Sequence, residues 1–318
     1  MRVAIFSGFD FHYEMFGYII YYCKNRKFSL TIYCPDPDGI GGFMDFYNKT
    51  FAYYIDYQPV SQFDKDKQNF DCIFLTTDDD PHFRLDNPAV QAKTICIDHY
   101  CNIRNTALQT HIATRPFPPP FYRPWALPTY PILNALEKRS FIPRNINTID
   151  PLRIVILGDN GEMNCNTAIL NRLKTVHGSR RIRIHAISRG MHIGQFRGLT
   201  NPHIDLEIHK NIPTPHMLDI LFCADYIITG LAMHKDYISH VMSGAIPFSF
   251  GTLTPLILPK ESNALYRFQN AIEYDMDSRD DIFLTEIHLE RLEAERDAMV
   301  ERNGKLFTSF FSLFLNKF

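Results

Sequence analysis

The chain is short of several things, and each shortage narrows what it can be. Tryptophan occurs once, at Trp125. Neither sign of charge prevails: 33 basic residues against 35 acidic ones leave a formal charge of −2. Proteins that hold nucleic acid or an anionic membrane over a broad face carry a basic excess, so composition predicts no nucleic-acid partner. No run reaches the ~18 apolar residues of a membrane span, so no transmembrane segment is expected. The opening MRVAIFSGFD is too short a stretch for a signal peptide, is interrupted by Asp10 and lacks a small-residue cleavage site. It reads as a buried first strand. The seven cysteines include no CxxC pair, and several lie in apolar runs such as DCIFL and TICID. Scattered and odd in number, they fit reduced core thiols in a cytoplasmic setting and offer no zinc-site spacing. GxGxxG is missing, and no Tyr-x-x-x-Lys pair occurs, which counts against a nicotinamide-dependent enzyme or epimerase. Thirteen histidines supply no HxxxH or HExxH group. His99, His111, His185, His209, His234 and His240 are therefore read as structural or surface residues.

What the chain does have is alternation. Its 318 residues exceed one usual domain and suggest two. Short apolar runs recur at Val3–Phe6, Leu30–Cys34, Tyr53–Tyr57, Cys72–Thr76, Thr94–Ile97 and His111–Ala113, separated by helix-length spacers such as His12–Cys23. Continuous apolar runs of this kind predict parallel strands buried on both faces. PFPPPFYRPWALPTYP, from Pro116 to Pro131, cannot continue a helix or a central strand and reads as a stiff connector pinned by Phe121, Tyr122 and Trp125. The alternation then restarts. Strands are predicted at Leu152–Leu157, Ile182–Ile187, Ile204–Ile208, Tyr226–Thr229 and Ile246–Phe250, and helices at Asn166–Thr175, Pro215–Cys223, Lys235–Met242 and Glu286–Leu315. The fold class expected is α/β, with two Rossmann-like domains facing each other across a cleft. Its parts are an N-terminal domain over 1–130, a linker over 131–150, a C-terminal domain over 151–285 and a helical segment over 286–318 that packs across the lobes.

Open α/β sheets bind ligands at the carboxyl ends of their strands, so the polar residues there are the first candidates. After Leu157 comes Gly158-Asp159-Asn160-Gly161-Glu162, where glycines between strand and helix let amides approach a phosphate. An ordinary tight turn accounts for it as well. IHAISRG places Arg189 at another strand end, where a guanidinium can pair with a diphosphate; a surface arginine beside a turn is the plainer reading. Gly251-Thr252-Leu253-Thr254-Pro255 is expected as a loop beyond the strand that starts at Ile246, offering amides and hydroxyls.

The segments Ile212 to Leu218, Ala224-Asp225-Tyr226-Ile227-Ile228 and Met242-Ser243-Gly244-Ala245-Ile246-Pro247 together resemble the C-terminal donor domain of GT-B-type glycosyltransferases. The likeness covers roughly residues 152–260, and the two-lobed layout extends it over the whole chain. It implies transfer of a sugar from a nucleotide diphosphate sugar to a glycan or other hydroxyl acceptor, without a cofactor. Gly158, Asn160, Gly161, Arg189, Ile212, Ser239, Gly251 and Thr252 are the donor-side residues it implies. One position departs from the family. The glutamate five residues before the Gly-x-Pro glycine is here Ser239, with Asp236 and His240 close by. A hydroxyl cannot act as a carboxylate, so a catalytically inert module that binds a glycan or partner protein is the alternative.

On the acceptor side the first strand runs into Ser7-Gly8-Phe9-Asp10-Phe11-His12-Tyr13-Glu14. If the resemblance holds, Asp10, His12 or Glu14 can take the acceptor proton, with Asp98 and His99 as a second set. Helix capping by Asp10 and first-turn placement of Glu14 explain the same residues without chemistry. Asp78-Asp79-Asp80 mimics the metal-binding DxD of GT-A-type glycosyltransferases and could hold Mg²⁺ or Mn²⁺. Acidic residues before a proline also make common turns, and metal-independent transfer is the reading favoured.

Overall fold

A computed structural model describes residues 1–9, 13–36, 42–84, 86–132, 135, 150–158, 165–175, 180–188, 190, 192–231 and 242–315. Two compact units divide the chain, one from Met1–Leu133 with Ala298–Phe318, the other Asn134–Asp297. Among the described residues, no helix is long and apolar enough to cross a membrane.

The first unit is built on six strands: β1 (Arg2–Phe6), β2 (Ser29–Cys34), β3 (Asp56–Pro59), β4 (Cys72–Leu75), β5 (Thr94–Asp98) and β6 (Thr110–Ala113). They lie in the order β3-β2-β1-β4-β5-β6, every neighbouring pair parallel. β4 and β5 are buried at each position, as central strands of a parallel sheet are, and β5 buries Thr94 and Asp98 along with its apolar residues. β3 is the polar edge and ends on Pro59, which needs no ladder partner there. One core packs Phe6, Tyr33, Phe63 and Phe83 around Ile73 and Leu75. Elsewhere in the unit, helix Phe16–Arg26 presses on Tyr130 so closely that a Cβ at Gly17 would stand 1.9 Å from its Cε1.

The proline-rich segment is ordered by the sheet. Ala113 donates to Pro124 O at 2.9 Å and accepts from Ala126 N at 2.9 Å. Phe117, Phe121 and Trp125 pack with Cys101 and Ala113. Tyr122, expected to help pin this stretch, instead stands 74% exposed. Its place in the packing is taken by Phe117, which is buried. The end of the chain returns to this unit. In the helix Leu289–Leu315, Phe311 stacks on Tyr22 at 5.4 Å between ring centroids, and Phe307 meets Tyr18 and Phe74. Arg302 lies 3.5 Å over the Trp125 ring, and Asn303 Nδ2 donates to Leu127 O at 2.6 Å.

The second unit repeats the design with β7 (Leu152–Leu157), β9 (Ile182–Ser188), β10 (Ile204–Lys210), β11 (Tyr226–Ile228), β12 (Leu256–Pro259) and β13 (Ala271–Tyr274). Their order is β10-β9-β7-β11-β12-β13, again wholly parallel. A separate parallel pair joins β8 (Leu173–Thr175) to β14 (Ile282–Leu284). In both six-stranded sheets the order reverses direction beside the first strand, between β1 and β4 and between β7 and β11. That reversal opens a ligand-sized gap at the strand tips of doubly wound folds.

Two expected elements differ. Residues 166–175 are not one helix: Thr167–Asn171 is helical, and the chain then enters β8. Ile246–Phe250 is not a strand but lies in a helix, Ala245–Thr252, with Gly244 at its N-cap and Leu253 closing it at φ 56°. Every residue of that helix is buried, so it has no polar face and no helical periodicity to read. Pro247 is tolerated because the first turn needs no amide there. The strand comes later, at Leu256–Pro259.

Candidate functional site

In the second unit, three strand tips stand side by side. Leu157 is in register with Ile187, and the Gly158 amide continues the ladder to Ile187 O at 3.1 Å. Lys210 pairs with Ser188, and the Asn211 amide reaches Ser188 O at 3.2 Å. The loops that leave β7, β9 and β10 thus begin next to one another, bringing Gly158 and the half-buried Ile212 to one edge. Gly158 has φ +141°, and a Cβ placed on it would meet no atom of the described residues within 4 Å. Open space over a backbone that only glycine adopts readily is the form a loop takes where a ligand approaches the main chain. Asn160, Gly161, Arg189 and Ser239 lie outside the described residues, as do Asp236 and His240.

Across the strand reversal, β11 is followed by Thr229 and Gly230. Gly230 has φ +81°, with Pro259 Cγ 2.3 Å from where its Cβ would be and the Tyr274 hydroxyl oxygen at 2.7 Å. Tyr274 donates to Thr229 O at 2.6 Å, and burial raises its pKa well above the ordinary phenol range. The tip is therefore held from beneath by β12 and β13. The Asn166 amide binds Leu231 O at 2.8 Å, and the Cys165 amide binds Gln195 O at 3.2 Å. Burial pushes the Cys165 thiol up to about 12, which keeps it protonated and unreactive at neutral pH.

Gly251 and Thr252 need correction. Both belong to the buried helix Ala245–Thr252 rather than to a loop at the carboxyl ends of the strands. Thr252 Oγ1 donates to Phe248 O at 2.7 Å and faces Thr254 Oγ1 at 2.7 Å. These residues precede β12, so they lie toward the amino ends of the parallel strands, opposite the tips described above. The hydroxyls of Thr252 and Thr254 are used inside the fold.

In the first unit, Gly8 follows β1 and donates its amide to Asp80 Oδ2 at 2.5 Å. Asp80 also accepts from the His82 amide at 2.9 Å. Burial pushes the Asp80 carboxyl above its usual range, against the pull of these two amides. Asp78 accepts from the Arg104 amide at 2.8 Å, while Asp79 pairs with the Arg104 guanidinium. Each member of the acidic run therefore has work in holding its turn. Asp78 Oδ1 is buried without a hydrogen-bond partner among the described residues, and burial again raises that carboxyl's pKa. Gly8 cannot grow a side chain here, because its Cβ would stand 2.3 Å from Asp80 Oδ1. Gly8→Ala is expected to cost about 1–3 kcal/mol by displacing that carboxylate, measured by urea unfolding.

Of the five proton-acceptor candidates, Asp10 and His12 lie outside the described residues. Glu14 is half-buried in a short 3-10 turn, Tyr13–Met15, that follows the first strand's loop. Asp98 is fully buried. Its Oδ1 receives His111 Nδ1 at 2.8 Å, and its Oδ2 pairs with the Arg123 guanidinium. His111 Nε2 also meets Leu108 O at 3.0 Å, and His99 Nε2 meets Thr76 O at 2.7 Å. Asp98 and His99 are neighbours in sequence but serve separate contacts. Asp98, His111 and Arg123 form a closed ion network that ties β5 and β6 to the proline-rich segment.

No family model matches the sequence, and no curated protein does. Solved structures do. An alpha-glucosyltransferase in complex with UDP aligns over 99% of this chain and 100% of its own, with TM-score 0.54 at 9% identity. The glycosyltransferase AviGT4, involved in avilamycin A biosynthesis, aligns over 99% and 98% with TM-score 0.56 at 7% identity. HepE of Anabaena, in complex with UDP-glucose, aligns over 100% and 99% with TM-score 0.54 at 7% identity. The chain has the fold of the GT-B glycosyltransferases. The alpha-glucosyltransferase also occurs in complex with DNA, so the expected exclusion of a nucleic-acid partner finds no support in this fold.

Proposed function

We propose that the chain is a glycosyltransferase that moves a sugar from a nucleoside diphosphate donor to a hydroxyl acceptor. The observation that carries this reading is the open, glycine-backed edge at Gly158, Ser188 and Asn211, on a fold whose solved examples hold UDP or UDP-glucose. In the reaction the acceptor oxygen bonds to the anomeric carbon. The bond from that carbon to the donor phosphate oxygen breaks, and its electron pair leaves with the diphosphate. The acceptor proton passes to a base from the loop after β1, where Asp10, His12 and Glu14 fall in the sequence. Amides after Gly158, with Arg189, stabilise the growing negative charge, which is where fixed donors lower such a barrier most.

Metal is not required in this proposal, because the donor-side groups can supply the positive potential. The acceptor is a hydroxyl of a glycan or another polymer, DNA included. The test is release of nucleoside diphosphate from a panel of nucleotide sugars, run with glycan and DNA acceptors, with and without EDTA. Turnover that persists in EDTA supports the reading. Turnover that stops with chelation and returns with Mn²⁺ moves the chemistry to a metal. Donor binding without turnover for any acceptor favours the inert module, and no donor binding ends the proposal.

A further inference from the structure

The edge of the second sheet carries a side-chain group that the transfer chemistry does not use. β10 is the edge strand and runs parallel to β9, with Glu207 opposite His185 and His209 opposite Ile187. Residues two apart on a strand share a face, so Glu207 and His209 lie together. The backbone register then brings His185 beside both. His185 Nδ1 is 2.9 Å from His209 Nε2, and the rings stack at 5.2 Å between centroids. Glu207 Oε2 lies 3.5 Å from His185 Nδ1, and its Oε1 lies 3.7 Å from His209 Nε2.

These separations have a chemical meaning. Donors bound tetrahedrally at about 2.0–2.1 Å from one ion stand about 3.3 Å apart, and the three observed distances bracket that value. Both glutamate contacts are too long for hydrogen bonds. The carboxylate thus stands near ligand spacing from two ring nitrogens that hydrogen-bond to each other, and all three donor atoms lie within 4.8 Å, so an ion would replace the bridging proton. Two imidazoles and one carboxylate suit Zn²⁺ and its neighbours in the transition series, whereas Mg²⁺ and Ca²⁺ prefer oxygen alone. The histidine side chains are 13% exposed and that of Glu207 is 51% exposed, which leaves a further coordination position toward water. Arg183 and Arg153 add positive charge nearby, so an ion there depends on Glu207.

We propose that His185, Glu207 and His209 bind one divalent transition-metal ion of the Zn²⁺ type and so clamp the edge strand β10 to β9. The test uses the full chain after removal of metal by a chelator, titrated with Zn²⁺ by calorimetry and with Co²⁺ by visible absorption. The expected result is one ion per chain, a rise in Tm with Zn²⁺ but not with Mg²⁺, and Co²⁺ bands of low coordination number. Glu207→Gln and His209→Ala are each expected to weaken binding by about tenfold or more. Cys223→Ser, which removes an exposed thiol elsewhere, should leave it unchanged. Should His209→Ala fail to fold, Glu207→Gln at its exposed position decides. Equal Zn²⁺ affinity in wild type and Glu207→Gln, equal response to Mg²⁺, or no bound ion would overturn the site.

Discussion

Replacing Arg123 with methionine is expected to lower unfolding stability by about 3–5 kcal/mol, because it strands a buried carboxylate. Asp98 is fully buried, and its two oxygens meet His111 and Arg123. Taking away one partner leaves the charge without the compensation that made its burial tolerable. Removing both charges, with Asp98→Asn and Arg123→Met together, should cost less than Arg123→Met alone. Urea unfolding of the two single variants and the double variant measures this coupling. If Asp98 were the catalytic base, Asp98→Asn would abolish turnover and leave stability intact. The closed network predicts the reverse order of effects, a loss of stability first.

The same network fixes a pH dependence. Burial alone would lower the His111 pKa, but the hydrogen bond and charge of Asp98 outweigh it, and the net shift is upward. A raised folded-state value means that this contribution to stability is complete below the unfolded value of about 6.5. It is lost as pH rises through the higher folded value. Unfolding measured across that window should show stability declining toward alkaline pH, and His111→Phe should flatten the decline.

The second large effect concerns two glycines that look alike in sequence and differ in space. Gly230→Ala puts a methyl 2.3 Å from Pro259 Cγ at a residue with φ +81°. Strain and overpacking together should cost about 2–5 kcal/mol, read as a lower urea midpoint with unchanged slope. Gly158→Ala meets no atom of the described residues, so among them only its φ of +141° opposes the change. Its stability loss should be about 1–2 kcal/mol, yet nucleotide affinity should fall by about tenfold or more as the methyl enters the ligand's space. A variant that folds but binds poorly separates the donor edge from the scaffold.

Much of the scaffold was legible in the sequence, because parallel strands buried on both faces announce themselves as apolar runs. Cys72–Leu75, Thr94–Asp98 and Leu152–Leu157 fall where those runs are. Ile246–Phe250 looks like a strand for the same physical reason: the helix Ala245–Thr252 is buried on all sides and has an apolar run without periodicity. β8 was hidden because Leu173-Lys174-Thr175 continues the apparent register of the helix before it. At the candidate site, Gly158 could be found from its place after a strand. Gly230 carries the same signal after Tyr226–Ile228. The roles of Asp98 and of Asp78–Asp80 were not legible, since Arg123, His111, Arg104 and Gly8 meet them only through the fold. His185, Glu207 and His209 escaped for a related reason. Motif spacing along one helix cannot reveal side chains that adjacent strands bring together.

Amide hydrogen exchange on the whole chain, with and without a saturating nucleoside diphosphate, tests the donor edge most directly. The account predicts added protection in peptides that cover 158–166, 188–192 and 211–214, with little change across β5 and β6. Protection confined to the first unit, or exchange identical with and without the nucleotide, would contradict it.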